Sequence, residues 1–287
     1  MATISPTSDR AGERKRGFSP TRLLLYALLV LVTFITLFPF YWMVVGSLMR
    51  PVDLFSPVPR LWPTQPDPAS YTRIFSLVPM TRFFVNSVVV SVTTTVVAVL
   101  ISSAAGYTFA QLQFVGKRFW FAVTLATLMV PYQSRIIPLF TMFNNYGLEN
   151  TYIGIILPGL GSALGVFLMT QFFRTIPPEL REASIMDGAS ELRVFLQIYL
   201  PLARPAVATL ALFVFLQSWD DLLWPMIIAP KPEMRTLQVG LAFIRQQAPA
   251  ANQVMAAIVV SVIPVVIVFL LAQRQFISGI TAGAVKE

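Results

Sequence analysis

Six stretches of this 287-residue chain carry no charged side chain: 23–49, 83–116, 119–134, 150–173, 205–219 and 246–273. Each holds a dense apolar run. A charge at the centre of a bilayer costs about 2.5–3.5 kcal/mol on insertion scales, so a helix that crosses one must be nearly charge-free. The hydrocarbon core takes about 20 residues of helix. Four of the stretches are long enough alone. The 119–134 run continues past Arg135 into Ile136-Ile137-Pro138-Leu139-Phe140, and the 205–219 run continues past Asp220-Asp221 into Leu222–Ala229. The expectation is an all-α integral membrane protein with six transmembrane helices, over roughly 23–46, 84–110, 119–138, 152–173, 204–228 and 254–272. Composition excludes the soluble alternative. With 56% of residues hydrophobic and 12% charged, there is too little polar sequence to cover a soluble core.

The basic residues set the orientation, because cytoplasmic flanks are enriched in Lys and Arg. With the N-terminus inside, the cytoplasmic segments hold Arg10, Arg14, Lys15, Arg16, Arg22, Lys117, Arg118, Arg174, Arg181, Arg193, Arg204, Arg274 and Lys286. That is 13 of the 21, so both termini are expected in the cytoplasm. The net charge of +8 is read as this topology signal rather than as a nucleic-acid surface. The first apolar run has a basic flank like a signal peptide, but it is too long, lacks an A-x-A site and is followed by five more spans. Residues 1–20 read as a disordered cytoplasmic tail, 21–273 as one membrane domain and 274–287 as a cytoplasmic C-terminal tail. The segment 50–81 is the longest outside loop, with prolines at 51, 57, 59, 63 and 66.

The chain has neither His nor Cys. That excludes disulfides, thiolate metal sites, a Cys nucleophile and any Ser–His–Asp triad. No catalytic residue and no metal ligand set is expected.

One cytoplasmic loop, 174–205, is dense in helix punctuation. Pro177-Pro178 suits a helix start, and Glu179 and Glu182 suit its first turn. Gly188 suits the stop, since glycine takes φ > 0 without strain. A second helix is expected from Ser190 to Tyr199, ended by Pro201, with Leu192, Phe195, Leu196 and Tyr199 on one face. The loop carries four basic and four acidic residues. It fits either a connector that caps two spans or a docking surface for another protein. It does not fit a headgroup patch, which would be basic.

The residues Glu182-Ala183-Ser184-x-x-Asp187-Gly188-Ala189, followed by Phe195, Ile198, Leu200, Pro201, Leu202 and Pro205, resemble the EAA motif of binding-protein-dependent ABC importer permeases. Ser184 stands where a second Ala is usual. The likeness continues through Asn86-Ser87, Gly106-Tyr107-x-Phe109-Ala110, Val130-Pro131, Ile137-Pro138-Leu139 and Gly147-Leu148-x-Asn150-Thr151. Ser218-Trp219-Asp220-Asp221-x-x-Trp224-Pro225 follows, with Asp220 in place of the usual Asn. Ser278-Gly279-x-Thr281-Ala282-Gly283-Ala284-Val285-Lys286 is similar to the tail of the carbohydrate-importer branch, the maltose-type (MalG-like) permeases.

The resemblance implies a type I ABC importer permease fold in a bacterial or archaeal cell membrane. It implies that Glu182, Ala183, Ser184, Asp187, Gly188, Ala189, Phe195, Ile198, Leu200 and Pro201 couple the chain to a cytoplasmic ATPase. The partners it implies are a second, different permease subunit, two ATPase subunits and an extracytoplasmic sugar-binding protein. The chain has no G-x-x-x-x-G-K-[ST] phosphate loop, so ATP and Mg are expected on the ATPase and no cofactor on this chain. The loop near 241–253 corresponds to one that reaches into the binding protein in the maltose-type branch.

The substrate path is marked more faintly. Pro131 and Pro138 are expected to interrupt the third span, and the Trp219–Trp224 stretch the fifth, as discontinuous helices do at transport sites. Polar and aromatic residues there are Tyr132, Gln133, Asn144, Asn145, Gln217, Trp219, Asp220 and Asp221. Amides hydrogen-bond sugar hydroxyls, and Tyr132 or Trp219 could stack on a sugar ring. Asp220 and Asp221 could gate, bind hydroxyls, or cap a helix break, and capping is the plainer reading. A proton-coupled secondary transporter is the alternative function, and it would need ionisable relays that these span interiors almost wholly lack.

Overall fold

The computed structural model describes residues 20–58, 60–247 and 249–284. The tail expected over 1–20 lies outside the described residues except for Pro20, and so do residues 285–287 of the C-terminal tail. Every regular element among the described residues is helical. The helices that frame the site are, in chain order, α1 (Pro20–Leu48), α2 (Ala69–Leu77), α3 (Met80–Gln111), α4 (Lys117–Ala126), α5 (Tyr132–Asn145), α6 (Tyr152–Ile156) and α7 (Ala163–Phe173). They continue as α8 (Glu179–Met186), α9 (Glu191–Val194), α10 (Arg204–Trp219), α11 (Leu223–Ile228), α12 (Leu237–Ile244) and α13 (Ala251–Ala284).

Three described helices are long and apolar enough to cross a membrane alone: Leu23–Leu48, Met80–Gln111 and Ala251–Gln273. Two bent pairs raise the number to five: Tyr152–Leu160 with Ala163–Phe173, bent by 44°, and Glu191–Leu202 with Arg204–Trp219, bent by 82°. The helix expected over 119–138 is not continuous. α4 stops at Ala126, a 3₁₀ turn covers Thr127–Met129, and Val130 is extended at φ −87°, ψ 113°. Pro131 is the physical cause, because a residue before proline is pushed out of the helical region. Pro138, expected to interrupt the same span, lies inside α5 instead.

The helix expected over 152–173 is also broken. Leu157–Leu160 wind a 3₁₀ turn, and Ser162 then caps α7 by accepting from the Gly165 N–H at 3.0 Å. The break expected between Trp219 and Trp224 is present, since α10 ends at Trp219 and α11 starts at Leu223. The 16 residues of α10 rise about 24 Å, less than the hydrocarbon thickness.

α3 is the central helix, packed along α7 and α10, while α13 lies against α10 and α1. Small residues let α3 and α7 approach closely, as in membrane helix pairs generally. A Cβ on Gly106 would stand 2.6 Å from Met169 Cβ and 2.9 Å from the Thr170 backbone nitrogen. The backbone of α7 cannot yield there, and overpacking costs about 1–3 kcal/mol. Gly106→Ala is therefore expected to lower the yield and melting temperature of the folded permease, and Gly106→Leu to leave none in size-exclusion chromatography. Wild-type recovery of both would remove the close crossing.

By contrast, every described residue from Leu23 to Tyr41 on α1 is exposed. Lipid tails or another chain must cover that surface. The loop after α1 is ordered by ion pairs. Asp53, 6% exposed, takes Arg50 at 3.1 Å and Arg60 at 2.8 Å, and Arg73 reaches Asp67 at 2.7 Å.

Candidate functional site

Residues 174–205 form two short helices set by their own sequence. α8 follows Pro177-Pro178 and carries Glu179 and Glu182 in its first turn, near the positive end of its dipole. It ends in a Schellman motif. Gly188 takes φ +83°, its N–H donates to Ile185 O at 2.9 Å, and the Ala189 N–H donates to Ser184 O at 3.0 Å. Ser190 then caps α9, its Oγ accepting from the Arg193 N–H at 3.4 Å.

The second helix departs from expectation in two ways. Pro201 does not end it. A π turn over Phe195–Tyr199 carries it on to Leu202, and the chain bends at Ala203. Proline donates no N–H and its ring crowds the carbonyl a turn earlier, and the wider π turn makes room for it. Nor do Leu192 and Leu196 share the buried face. Val194, Phe195 and Tyr199 are buried and Ile198 half-buried, and the π turn shifts the 3.6-residue register that would put Leu192 and Leu196 beside Tyr199. They are 65% and 46% exposed.

The motif positions divide between surface and anchor. Glu182, Ala183, Asp187 and Gly188 are exposed, and Met186 beside them is 86% exposed. Ser184, Ala189, Ile198, Leu200 and Pro201 are half-buried, and Phe195 is buried. Phe195 and Tyr199 pack against Tyr107 of α3, with ring centroids 5.4 and 5.0 Å away, and Phe173 of α7 closes the cluster at 6.1 Å from Tyr107. The loop thus offers a charged and apolar tip outward while its second helix is held on the ends of α3 and α7.

Three residues absent from the expected site join the loop to the bundle. Arg181 of α8 pairs with Glu191 of α9, and the Tyr107 hydroxyl donates to Glu191 Oε2 at 2.8 Å. The Arg181 guanidinium holds the Glu191 carboxyl below the usual carboxylate range, and the same contact raises Arg181. No periodicity connects residues 84 positions apart. The only signal in the sequence was Tyr107 itself, a polar ring following the close-packed Gly106.

The substrate-path residues are less convergent. Tyr132 starts α5, with the Arg135 guanidinium 5.8 Å from its ring centroid and Asp221 near enough to act on it electrostatically. Gln133, Asn144, Asn145 and Gln217 are exposed. About 18 Å of helix rise separates Tyr132 from Asn144. Asp221 Oδ1 accepts from the Trp224 N–H at 3.4 Å, which caps the first turn of α11, and Asp220 Oδ1 accepts from Gln238 Nε2 at 3.3 Å. Trp219 lies in the core, 1% exposed, stacked on Phe215 at 5.6 Å and donating to Ser261 O at 3.1 Å. In this conformation it presents no face to a sugar.

Other quoted residues prove to be braces. Asn86 Nδ2 donates to Glu233 O and Arg235 O, both at 2.9 Å, and Ser87 Oγ accepts from the Leu237 N–H at 2.7 Å. Asn150, at φ 55°, accepts from the Lys231 N–H at 2.9 Å. The loop expected near 241–253 is helical at both ends, since α12 runs to Ile244, a 3₁₀ turn covers Arg245–Gln247 and α13 starts at Ala251. Gln246 and Gln247 are exposed and Ala248 lies outside the described residues.

The family model of the binding-protein-dependent transport system inner membrane component matches residues 98–281. The arabinooligosaccharides transport system permease protein AraQ of Halalkalibacterium halodurans is 37% identical over 207 residues, covering 71% of this chain and 74% of that protein. The sn-glycerol-3-phosphate transport system permease protein UgpE of Agrobacterium fabrum is 33% identical over 270 residues, covering 90% and 95%. A crystal structure of a bacterial ABC transporter involved in the import of the acidic polysaccharide alginate contains a similar chain. Its TM-score is 0.79 at 25% identity, covering 89% of this chain and 96% of that one. These relatives give no support to proton coupling, and they place ATP hydrolysis on a separate subunit. The chain belongs to the binding-protein-dependent inner membrane component family, and it is a multi-pass permease subunit of an ABC importer.

Proposed function

We propose that this chain is one of two different permease subunits of a saccharide importer in a bacterial or archaeal plasma membrane. Two cytoplasmic ATPases supply ATP and Mg chemistry, and an extracytoplasmic binding protein delivers the sugar. The saccharide class rests on the transport roles of the AraQ and alginate relatives, with a glycerophosphate-type substrate as the second choice from UgpE. The domain plan is a tail over 1–20, a membrane domain over 21–273 and a C-terminal tail over 274–287, with both termini inside. Six crossings follow if α4 and α5 make one span broken at Pro131, and the 13 cytoplasmic Lys and Arg residues favour this orientation.

Coupling is assigned to Glu182, Ala183, Ser184, Asp187, Gly188, Ala189, Phe195, Ile198, Leu200 and Pro201. What carries the assignment is the Schellman-closed helix pair with its exposed Glu182–Met186 tip. A rigid helix moved as a unit transmits displacement, where a flexible loop would absorb it. Tyr132 and Asp221 are the favoured substrate-path pair, with Gln133, Asn144, Asn145, Gln217 and Asp220 around the outer half.

The test is copurification followed by a ligand screen. The complex is expected to contain two ATPases and one other permease, and its binding protein to take up an oligosaccharide or disaccharide. Isolation without an ATPase would end the coupling assignment. A binding protein that takes glycerophosphates and no sugar would end the saccharide assignment.

A further inference from the structure

The coupling loop meets the membrane bundle at two polar points. Gln111 Nε2 of α3 donates to Phe173 O and, at 3.5 Å, to Ile176 O at the start of the loop, and the Tyr107 hydroxyl reaches Glu191 within it. We propose that Tyr107, Glu191 and Arg181 form a transmission lock that makes α8, α9 and the cytoplasmic end of α3 move as one body. This rests on the coupling role proposed for the loop, and it concerns how the loop's displacement reaches the bundle.

The geometry makes Glu191 the joint between α8, α9 and the bundle. Glu191 sits in the first turn of α9 and takes Arg181 from α8 with both carboxylate oxygens engaged. Without that bond the far end of α8 is held only by the chain at Asp187–Ser190, where Gly188 can act as a hinge, while a 3.4 Å hydrogen bond from the Tyr199 hydroxyl to Pro177 O ties the start of α8 alone. Glu191 Oε2 also accepts from the Tyr107 hydroxyl at 2.8 Å. Tyr107 is 4% exposed, and its ring is wedged among Phe173, Phe195 and Tyr199. One carboxylate thereby ties α8 and α9 to a ring fixed by α3, α7 and the π turn. Charge-assisted hydrogen bonds hold such an angle better than neutral ones. The lower carboxyl pKa of Glu191 keeps it ionised, as the lock requires. Removing one member leaves the aromatic packing in place and frees the angle between α8 and the bundle.

The experiment uses the complete importer in proteoliposomes with its binding protein and substrate. ATP hydrolysis and uptake are measured together for Tyr107→Phe, Glu191→Ala and the charge exchange Arg181→Glu with Glu191→Arg. Tyr107→Phe and Glu191→Ala are expected to copurify with the ATPase and keep hydrolysis, while substrate carried per ATP falls by about tenfold. The exchange is expected to restore part of that loss relative to Glu191→Ala. Because the chain has no native cysteine, spin labels on Thr108→Cys of α3 and Leu180→Cys of α8 report the angle, and Tyr107→Phe is expected to broaden their distance distribution. Wild-type carried-per-ATP ratios with unbroadened distances would overturn the lock. So would a loss that the exchange leaves wholly unrestored. Glu182→Lys in the same assay separates the two readings. If it uncouples while the lock variants do not, the lock alone fails. If it changes neither copurification nor the ratio, the coupling assignment fails.

Discussion

Gly188→Pro is expected to abolish ATP-driven uptake, while Gly188→Ala keeps most of it. The two substitutions differ in what they ask of the backbone. Gly188 holds φ +83°, and a Cβ there would meet nothing within 4 Å. Alanine therefore adds only the left-handed penalty of about 1–2 kcal/mol, which a well-anchored turn can absorb. Proline fixes φ near −65° and deletes the N–H that donates to Ile185 O at 2.9 Å. The Schellman closure then cannot form, and α8 leaves the loop at another angle. Uptake and ATPase activity measured on one reconstituted complex separate the outcomes. Gly188→Pro should hydrolyse ATP without transport. Normal uptake in that variant would show that the angle at Gly188 carries no displacement.

The punctuation of this loop was legible because it is local. Pro177-Pro178, Gly188 and Ser190 act within one helical turn, so their types reveal the start, stop and restart of α8 and α9. Pro201 signals an end that the second helix does not take, because a π turn has no composition of its own and answers to packing by Phe195 and Tyr199. The same limit governs the spans. Charge-free runs located every apolar segment, but hydropathy is blind to backbone breaks. The local signals at Pro131 and at Pro158-Gly159-x-Gly161 show where two helices actually divide. The lock of Tyr107, Glu191 and Arg181 depends on a contact across 84 positions and left no pattern to read. Residue type alone marks the substrate path, and type does not distinguish a core tryptophan such as Trp219 from one that faces a sugar.

Trp219→Ala is expected to remove folded permease rather than to alter which sugar is carried. The ring is stacked on Phe215 and meets Phe84 edge-on at 5.9 Å, and its N–H is committed to Ser261 O on α13. It joins three helices at the end of α10, beside the break that leads into α11. Truncating a buried Trp costs about 3–5 kcal/mol through the cavity left behind. That corresponds to a fall of about 6–20 °C in melting temperature for a chain of this size. Trp219→Phe keeps most of the packing and loses one hydrogen bond, worth about 1 kcal/mol, so it should stay folded and transport. Gln217, exposed two residues earlier, provides the contrast, since Gln217→Ala removes no buried contact and should leave stability unchanged. Thermal unfolding of the purified complex and uptake competition between sugars are the two readouts. A Trp219→Ala complex with unchanged melting and a shifted sugar preference would return Trp219 to the substrate path. Loss of melting temperature with preference intact would leave the path to Tyr132, Asp221 and the exposed amides.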